Sequence, residues 1–452
     1  MLEETPADES IVMDSPFGDF SLRIENIKET VNYLVNNVRR TDRMNADIEA
    51  WVGTSPEAKQ KDFHSRVYVM WAHSVMEVLK EDYGIVDIKN YHYGQSYSTP
   101  VYLDEKIGDE TYKIPHRLTL FLENKSNPKE RIGVSFYPYE KYDVEVRFHF
   151  SDEVTDFTDL WERIESHFYN KGLLKGKKFN AKYQILEAEG KDWKDIVIKD
   201  KDRAKLTRNA IKFLENVDLF KQKNLRASRG LLVTGPPGTG KTLTCEVLIK
   251  NTDSTVIYVT RDCLEHGGDI STIYKLARKL APTLIIYEDI DTLGGITREV
   301  GDHPLLGEFL NALSGVEDNG GVVTLATTNH PETLDWALTD RPGRFDVRID
   351  FGYPDTKTRK SIFKKYLKPF TAKKVDVDAL VRKTEGYSGA YIHEAVQTAY
   401  MLALEKSDYD DSKTVITQEN LDEAMAGLTE MRENLGKKVE GKQVKIVDEL
   451  YT

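Results

Sequence analysis

The stretch Gly235-Pro236-Pro237-Gly238-Thr239-Gly240-Lys241-Thr242 decides the fold of this sequence. It has the spacing G-x-x-x-x-G-K-[ST]; an apolar run at 229–234 precedes it, and apolar residues at helical spacing follow over 243–250. A strand, a glycine-rich loop and a helix in this order form a phosphate-binding loop, whereas an ordinary glycine-rich turn seldom fits every fixed position and both flanks. Backbone N–H groups of the loop and the helix N-terminus would face the anion. We expect Lys241 to contact the β- and γ-phosphates and the Thr242 hydroxyl to contact Mg²⁺.

The composition limits the class of protein. The chain has 452 residues, which predicts two or three domains, and a net charge of −12, which disfavours a nucleic-acid partner because such proteins usually present a basic face. Its two cysteines, Cys245 and Cys263, lack the spacing of a metal or redox motif. The sequence contains no apolar run of membrane-spanning length and no signal-peptide pattern. We therefore expect a cytoplasmic protein with no membrane partner.

Changes in residue pattern along the chain divide it into five segments. They are an acidic mobile tail at 1–19, an α+β N-terminal domain at 20–188, an α/β nucleotide-binding domain at 189–355, a helical lid at 356–430 and a charged C-terminal tail at 431–452. In the α/β domain short apolar strands alternate with helices, which predicts a doubly wound parallel sheet.

The N-terminal domain combines helical and strand patterns. Apolar spacing predicts helices over 22–40, 55–82 and 157–169, and β-branched and aromatic residues predict strands over 97–103, 112–122, 131–137, 143–150 and 178–187. Tyrosines are frequent between Tyr83 and Tyr102. They could mark a partner surface or fill half-buried strand positions, and no group of residues in this domain suggests chemistry.

Polar side chains follow two apolar strands of the α/β domain. Glu288 and Asp289 come directly after the run 283–287, and Asn329 ends the run 321–328. Acidic groups beside a phosphate loop can hold Mg²⁺ and polarise a water molecule, and an amide there can hold that water or touch the γ-phosphate. Alone, each would be a solvated acid or a turn residue.

Two arginines, Arg341 and Arg344, lie three residues apart on a proline–glycine turn. Arginine offers a permanent charge and a fork of donors that suits phosphate, so this pair could contact a nucleotide bound to a neighbouring subunit. The alternative is a surface turn with solvated arginines.

These motifs together resemble the AAA family of ATPases. The phosphate loop is followed in order by Thr327-Thr328-Asn329, by Arg341-Pro342-Gly343-Arg344-Phe345-Asp346 and by Gly386-Tyr387-Ser388-Gly389-Ala390. The resemblance covers about 193–428. Within the family, the order Glu288-Asp289, where most members have Asp-Glu, resembles the branch of the mitochondrial Rieske-protein translocase and its soluble prokaryotic and viral relatives.

The resemblance implies ATP and Mg²⁺ as cofactors, and a role for each matching position. Glu288 takes the metal side together with Thr242, Asp289 activates water, Asn329 matches the sensor-1 asparagine, and Arg341 and Arg344 match an arginine-finger pair from the next subunit. The nucleotide-binding residues are then Gly235, Pro236, Pro237, Gly238, Thr239, Gly240, Lys241, Thr242, Leu243, Asp195, Ile196, Val197, Gly389 and Ala390.

Three features depart from the family pattern. Thr339-Asp340 lengthens the stretch before Arg341, which leaves open which arginine acts as the finger. The segment 264–268, at the position of the pore loop, has no aromatic residue to grip a threaded chain. The region 20–188 lacks the membrane helix of the mitochondrial translocase.

The sequence therefore predicts a homo-oligomeric ring, of six subunits or alternatively seven, that hydrolyses Mg-ATP to remodel or translocate a macromolecule, expected to be a protein, bound through 20–188. A nucleotide-gated assembly scaffold with slow hydrolysis is the rival hypothesis, and turnover would distinguish the two. A nucleic-acid motor is a further alternative that the charge disfavours. The sequence does not identify the partner.

Overall fold

The computed structural model describes most of the chain and divides it into two units, Met1–Leu173 and Leu174–Thr452. The described residues are 10–13, 20–23, 44–53, 58–92, 96–138, 143–154, 157–186, 190–264, 267–293, 304–314, 318–339 and 343–440. The predicted helix at 22–40 and the last residues of the C-terminal tail lie outside them, apart from 22 and 23.

The first unit contains an antiparallel sheet. Its strands are β1 (Ser10–Met13), β2 (Phe20–Arg23), β3 (Lys59–His64), β4 (Tyr83–His92), β5 (Ser96–Ser98), β6 (Val101–Ile107), β7 (Glu110–Asn124), β8 (Arg131–Pro138) and β9 (Asp143–Phe150). The main sheet has the order β3-β9-β8-β7-β4-β5, with β6 paired to β7, while β1 and β2 form a separate pair.

The helices of this unit are α1 (44–52), α2 (Ser65–Asp82) and α3 (Phe157–Asn170). Helices α2 and α3 pack together through aromatic rings: Trp71 stacks on Phe168 with 3.9 Å between ring centroids. Helix α1 places Met44, Ile48 and Val52 in a second apolar cluster with Phe121 of β7. Because side chains alternate along a strand, the sheet can supply apolar residues to both clusters.

The second unit is built on a parallel sheet. Its strands are β10 (Lys178–Asn180), β11 (Arg229–Thr234), β12 (Thr255–Val259), β13 (Thr283–Tyr287), β14 (Val322–Thr328) and β15 (Val347–Asp350), in the order β10-β12-β13-β14-β11-β15. Every pairing in this sheet is parallel. Strands β13 and β14 are buried along their whole length, as a sheet covered on both faces requires.

Helices accompany and follow this sheet. They are α4 (Asp200–Leu206), a π-helical turn (Thr207–Ile211), α5 (Lys212–Glu215), α6 (Val217–Gln222), α7 (Lys241–Asn251), α8 (Asp269–Lys279), α9 (Pro304–Ser314), α10 (Trp336–Thr339), and the lid helices α11 (Thr356–Leu367), α12 (Val377–Lys383), α13 (Gly389–Glu405) and α14 (Gln418–Glu440). The lid has its own core, which includes Phe363, Leu380 and Ala395. The predicted fold class, a parallel α/β domain with a C-terminal helical lid after an α+β N-terminal domain, is confirmed. None of the described helices is long and apolar enough to cross a lipid bilayer.

The structure corrects the predicted boundary at residue 188. Strand β10, predicted to belong to the N-terminal domain, pairs in parallel with β12 of the second unit, with Lys178 opposite Val256. A short strand carries no sign of its partner in its own sequence, so only the long-range pairing reveals where it belongs.

Three further segments differ from the prediction. Residues 59–64, predicted as part of a helix, form β3 because they pair with β9. Within the predicted mobile tail, Ser10–Met13 pairs with Phe20–Arg23. Helix α14 continues through 431–440, part of the predicted C-terminal tail, because this run has no proline and consists mostly of residues that favour helix, such as methionine, arginine, glutamate and lysine.

Candidate functional site

The phosphate loop connects β11 to α7. Gly235 and Gly238 have φ values of 147° and 74°, in the region that favours glycine. A Cβ atom at Gly238 would lie 2.7 Å from the Ser388 Oγ and 2.8 Å from the Ala390 Cβ, so a larger residue would collide with the start of lid helix α13. The loop therefore adopts the curled backbone that its glycines predict.

Lys241 begins α7 and is buried, with 5% of its surface exposed. Its Nζ donates to the carbonyl oxygens of Gly235 at 2.6 Å and of Pro236 at 2.9 Å. Burial lowers the pKa of Lys241, while the charges of Asp289 and Asp291 oppose that shift. The ammonium group is thus held inside the loop.

The predicted acidic pair follows β13. Asp289 has a left-handed φ of 47°, its backbone N–H donates to the Thr327 Oγ1 at 2.9 Å, and its Oδ1 accepts from the Asn329 Nδ2 at 3.3 Å. Burial and the neighbouring Asp291 raise the pKa of Asp289, and Lys241 opposes this. The ends of β13 and β14 therefore bring Asp289 and Asn329 into contact, because parallel strands end at the same edge of the sheet.

Glu288 is half-buried and lies between two hydroxyl groups. The Tyr258 hydroxyl donates to its Oε2, and the side chain of Thr242 also hydrogen-bonds to it. Burial raises the pKa of Glu288, the Thr242 hydrogen bond opposes that shift, and the charges of Asp289 and Glu246 add to it. Glu288 therefore stands beside the hydroxyl predicted for the metal.

Asp291 is a site residue for which the sequence predicted no role. Its Oδ1 accepts from the Asn329 backbone N–H at 3.3 Å, and its charge acts on both Lys241 and Asp289. The position of Asp291 in the acidic run 288–291 was a signal in the sequence. Only the turn after β13 in the structure shows that Asp291 faces β14.

A cavity of about 460 Å³ adjoins these groups, a volume in the range of small-molecule sites. Among the predicted residues, its lining includes Ile196, Val197, Pro237, Gly238, Thr239, Gly240, Lys241, Thr242, Leu243, Asp289, Asn329, Gly389 and Ala390. Gly235, Pro236 and Glu288 are not among the lining residues. Asp195 is not among them either: its carbonyl accepts from Lys365 and its carboxylate accepts from the Asp192 backbone N–H at 2.8 Å.

The lid supplies part of the cavity wall. The Ala390 backbone N–H donates to the Gly238 carbonyl at 3.1 Å, which joins helix α13 to the phosphate loop. Tyr366 and His393 face each other with ring centroids 4.2 Å apart, and both line the cavity. The spacing of residues along the sequence does not reveal this ring pair, since the two residues lie on different helices of the lid.

The structure describes only one of the two candidate arginines. Arg341 lies outside the described residues. Arg344 is buried, with 9% of its surface exposed, and its guanidinium donates to the carbonyl of Ala337. Arg344 thus contacts its own domain and does not line the cavity.

The donor chemistry of this site fits a nucleotide with Mg²⁺. The loop presents backbone N–H groups and one ammonium, while Thr242, Glu288, Asp289 and Asn329 present oxygen atoms, the ligands that this hard cation prefers. Across the described part of the chain, no cluster of three or more His, Cys, Asp or Glu side chains could hold a metal by itself. Mg²⁺ would therefore need phosphate oxygens as additional ligands, as it does in many nucleotide sites.

Comparison with known families agrees with this geometry. Residues 231–353 match the family model for the ATPase family associated with various cellular activities (AAA), and residues 374–423 match the AAA+ lid domain. The second unit thus contains an AAA ATPase domain followed by its lid.

The most similar curated proteins include three AAA proteins. The chain is 31% identical over 289 residues to the cell division cycle protein 48 homolog of Archaeoglobus fulgidus (59% of this chain, 39% of that protein). It is 32% identical over 253 residues to the proteasome-activating nucleotidase of Thermococcus kodakarensis (53% and 62%). It is also 32% identical over 257 residues to the ATP-dependent zinc metalloprotease FtsH 1 of Petrotoga mobilis (52% and 39%).

The chain spans roughly 39% to 62% of the length of these three relatives. The shared part is the ATPase region, and these matches support ATP hydrolysis by the AAA domain of this chain. Its cofactors are ATP and Mg²⁺.

Proposed function

We propose that this chain assembles into a ring in which ATP hydrolysis remodels or translocates a protein partner bound through residues 20–188. The observation that carries the proposal is the hydrogen bond from the Ala390 backbone N–H of the lid to the Gly238 carbonyl of the phosphate loop, at 3.1 Å. Because the lid rests directly on the loop, a change at the phosphates can move the lid. Such a coupling is what a machine that converts hydrolysis into motion requires.

In this proposal each polar group has a separate task. Lys241 binds the phosphates, and Thr242 and Glu288 stand on the metal side of the site. Asp289 polarises the attacking water, and Asn329 keeps the Asp289 carboxylate in place through its 3.3 Å hydrogen bond. Mg²⁺, when bound, neutralises charge on the phosphate oxygens.

The base and the sugar would occupy the opposite end of the cavity. Residues Asp195, Ile196 and Val197 are the proposed contact with adenine, and Gly389 and Ala390 are the proposed lid contact. Ile196 and Val197 line the cavity directly, whereas Asp195 would act through its backbone. The arginine finger would come from Arg341 or Arg344 of the next subunit in the ring.

Relatives support a protein as the partner. Their names connect one of them with activation of a proteasome and another with ATP-dependent proteolysis. A ring of six subunits is proposed, with seven as the alternative. The order Glu288-Asp289 supports a closer relation to the soluble relatives of the mitochondrial Rieske-protein translocase. The free cysteines Cys245 and Cys263 fit a reducing compartment, so the cytoplasm is the proposed location.

The ring is tested with the Asp289→Asn variant, which should bind ATP without hydrolysing it. Light scattering in ATP should give the mass of six or seven chains, and the Lys241→Ala variant should stay smaller under the same conditions. Wild-type activity per chain should fall on dilution, because the ring dissociates. A monomer in ATP with equal specific activity across the dilution series would contradict the proposal.

The partner is tested on the same background. A protein that co-purifies with Asp289→Asn in ATP, and that also raises the ATPase rate of the wild-type chain, would support remodelling. A partner that only binds, with turnover too slow to follow, would support the assembly scaffold instead. The scaffold remains the second candidate because the segment 264–268 has no aromatic residue to grip a threaded chain.

A further inference from the structure

We propose that Tyr258 is a positioning residue that holds the Glu288 carboxylate in its metal-facing orientation. The Tyr258 hydroxyl donates to one oxygen of Glu288, Oε2. The inference rests on the proposed metal-side role of Glu288 and makes no use of the ring or the partner.

The register of the parallel sheet explains how the two side chains meet. Tyr258 on β12 lies opposite Ile286 on β13, and Glu288 follows two residues later. Because side chains alternate along a strand, Ile286 and Glu288 point to the same face as Tyr258. The Glu288 backbone N–H also donates to the Val259 carbonyl at 3.1 Å, so the pairing with β12 extends past the end of β13.

The Tyr258 ring is fixed by packing. It is partly buried against the core cluster that includes Val256, Ile286 and Cys245, so its position is set by the sheet and by α7. The hydroxyl is thus presented to Glu288 from a rigid support. Thr242 bonds the same carboxylate from the phosphate loop, which leaves Glu288 held from two directions.

A glutamate at this position needs such support more than an aspartate does. Its side chain has one more rotatable bond, so fixing it costs more conformational entropy. A hydroxyl that occupies one carboxylate oxygen restricts rotation and leaves the other oxygen to face the metal. Partners of this kind commonly change metal affinity by tenfold or more when they are removed.

The test measures metal binding directly, without turnover. Mn²⁺ is titrated by electron paramagnetic resonance into the full chain with a non-hydrolysable ATP analogue. Tyr258→Phe, which keeps the ring, should weaken Mn²⁺ binding about tenfold. A change below twofold would overturn the proposal.

Tyr274→Phe is the matched control. The Tyr274 hydroxyl is buried in the same domain and pairs with the Thr324 Oγ1 at 2.7 Å. Its removal should lower the thermal midpoint while Mn²⁺ affinity stays the same. An equal loss of Mn²⁺ affinity in both variants would mean that Tyr258 acts only through general stability, and would also overturn the proposal.

Two further variants, both at Glu288, distinguish a failure of the positioning role of Tyr258 from a failure of the metal-side role of Glu288. In a Glu288→Asp background the shorter side chain cannot reach Tyr258 in the same way, so Tyr258→Phe should then have little additional effect. Glu288→Gln should weaken Mn²⁺ binding in the otherwise wild-type chain. If it does not, the metal-side role fails; if it does while Tyr258→Phe has no effect, only the positioning role fails.

If the Tyr258→Phe variant does not fold stably, a second measurement tests the proposal on a chain that keeps the hydroxyl at position 258. 3-Fluorotyrosine is placed at position 258, and its fluorine resonance is followed as Mg²⁺ is added to the analogue-bound chain. We expect the resonance to shift as the bonded carboxylate takes up the metal. A resonance that does not move while Mg²⁺ binds would overturn the proposal.

Discussion

The two units of this protein differ in what their polar side chains contact. In the first unit several of them bond one another: Asp47 of α1 accepts from the hydroxyls of Tyr91 at 2.8 Å and Tyr97 at 2.9 Å, and Thr119 pairs with Ser135 at 3.0 Å. In the second unit Asp289 and Asn329, at the ends of β13 and β14, line a cavity. The first arrangement stabilises a fold, and the second leaves bonding capacity for a ligand.

Sheet topology accounts for the difference. Strands β11, β13 and β14 all run in the same direction, so their carboxyl ends lie at one edge, where no other strand of the described residues covers them. Antiparallel strands alternate in direction, so their ends are shared between both edges and carry turns. Substitutions at the carboxyl ends of the parallel strands should therefore change the ATPase rate more than the free energy of unfolding. Substitutions in the polar pairs of the first unit should change the free energy of unfolding more than the ATPase rate.

The sharpest test of this contrast is Asp289→Asn. The amide keeps the shape and the contact with Asn329 but cannot polarise water, so we expect turnover to fall about a thousandfold. Nucleotide affinity should stay within a few-fold of the wild type. Single-turnover hydrolysis and a fluorescent-nucleotide titration measure the two quantities; near-normal turnover would move the activating role to Glu288 or another group.

Lys241→Ala comes next in expected effect. The charged side chain of the loop is lost, and we expect nucleotide affinity to fall by about a hundredfold or more. Thermal unfolding without nucleotide should change little by comparison. A titration that gives unchanged affinity would show that the backbone of the loop binds the phosphates without Lys241.

Comparing Arg341→Ala with Arg344→Ala distinguishes an arginine that affects only hydrolysis from one that also stabilises the second unit. Arg344 is buried and bonds the carbonyl of Ala337, so its loss should lower the thermal midpoint as well as the rate. Arg341→Ala should reduce hydrolysis by roughly tenfold to a hundredfold, less than the effect of an arginine finger in GTPases, with ATP binding retained.

Mixed rings, which contain two different variants, provide the control for both arginine substitutions. Either one combined with Asp289→Asn should recover some activity, because a mixed ring can join an intact arginine pair to an intact Asp289. Equal thermal midpoints for the two variants would contradict the structural role of Arg344, and the absence of recovery would contradict action between subunits.

The smallest effect is expected in the first unit, from Asp47→Asn. Although burial opposes it, hydrogen bonds from Tyr91 and Tyr97 and the charge of Lys89 hold the pKa of Asp47 below its ordinary value of 3.8. A lowered pKa means that this stabilisation is present above the ordinary value and is lost as the pH falls through the folded-state value. We expect the variant to lose about 1 kcal/mol of unfolding free energy at pH 7, with the ATPase rate unchanged.

Urea unfolding at pH 7 and at about pH 3 checks this expectation, because the difference between wild type and variant should shrink at the lower pH. A difference that is the same at both values would show that the carboxylate charge is not what the tyrosines recognise.

Local patterns predicted much of the second unit. The phosphate loop with its strand and helix needs only neighbouring residues, and the predicted helical lid starts at 356, where helix α11 (Thr356–Leu367) begins. The edge acids Glu288 and Asp289 were found because they directly follow a continuous apolar run.

What the sequence could not predict depends on contacts between distant segments. The helical pattern of 55–82 concealed strand β3, which exists because it pairs with β9. Asp291, Tyr258 and the pair Tyr366–His393 join the site through strand register or lid packing, which a single sequence does not encode in its spacing. The roles assigned to the site residues remain predictions that the variants above test.

The pairing of β10 with β12 has a practical consequence for anyone who dissects this protein. A shortened gene that starts at residue 189 would remove Lys178–Asn180 and leave the outer side of β12 with unbonded N–H and C=O groups. Such a bare edge tends to recruit strands from other molecules, so the fragment would precipitate for a reason unrelated to its catalytic competence. An expression plasmid for the ATPase region alone should therefore begin at or before Leu174.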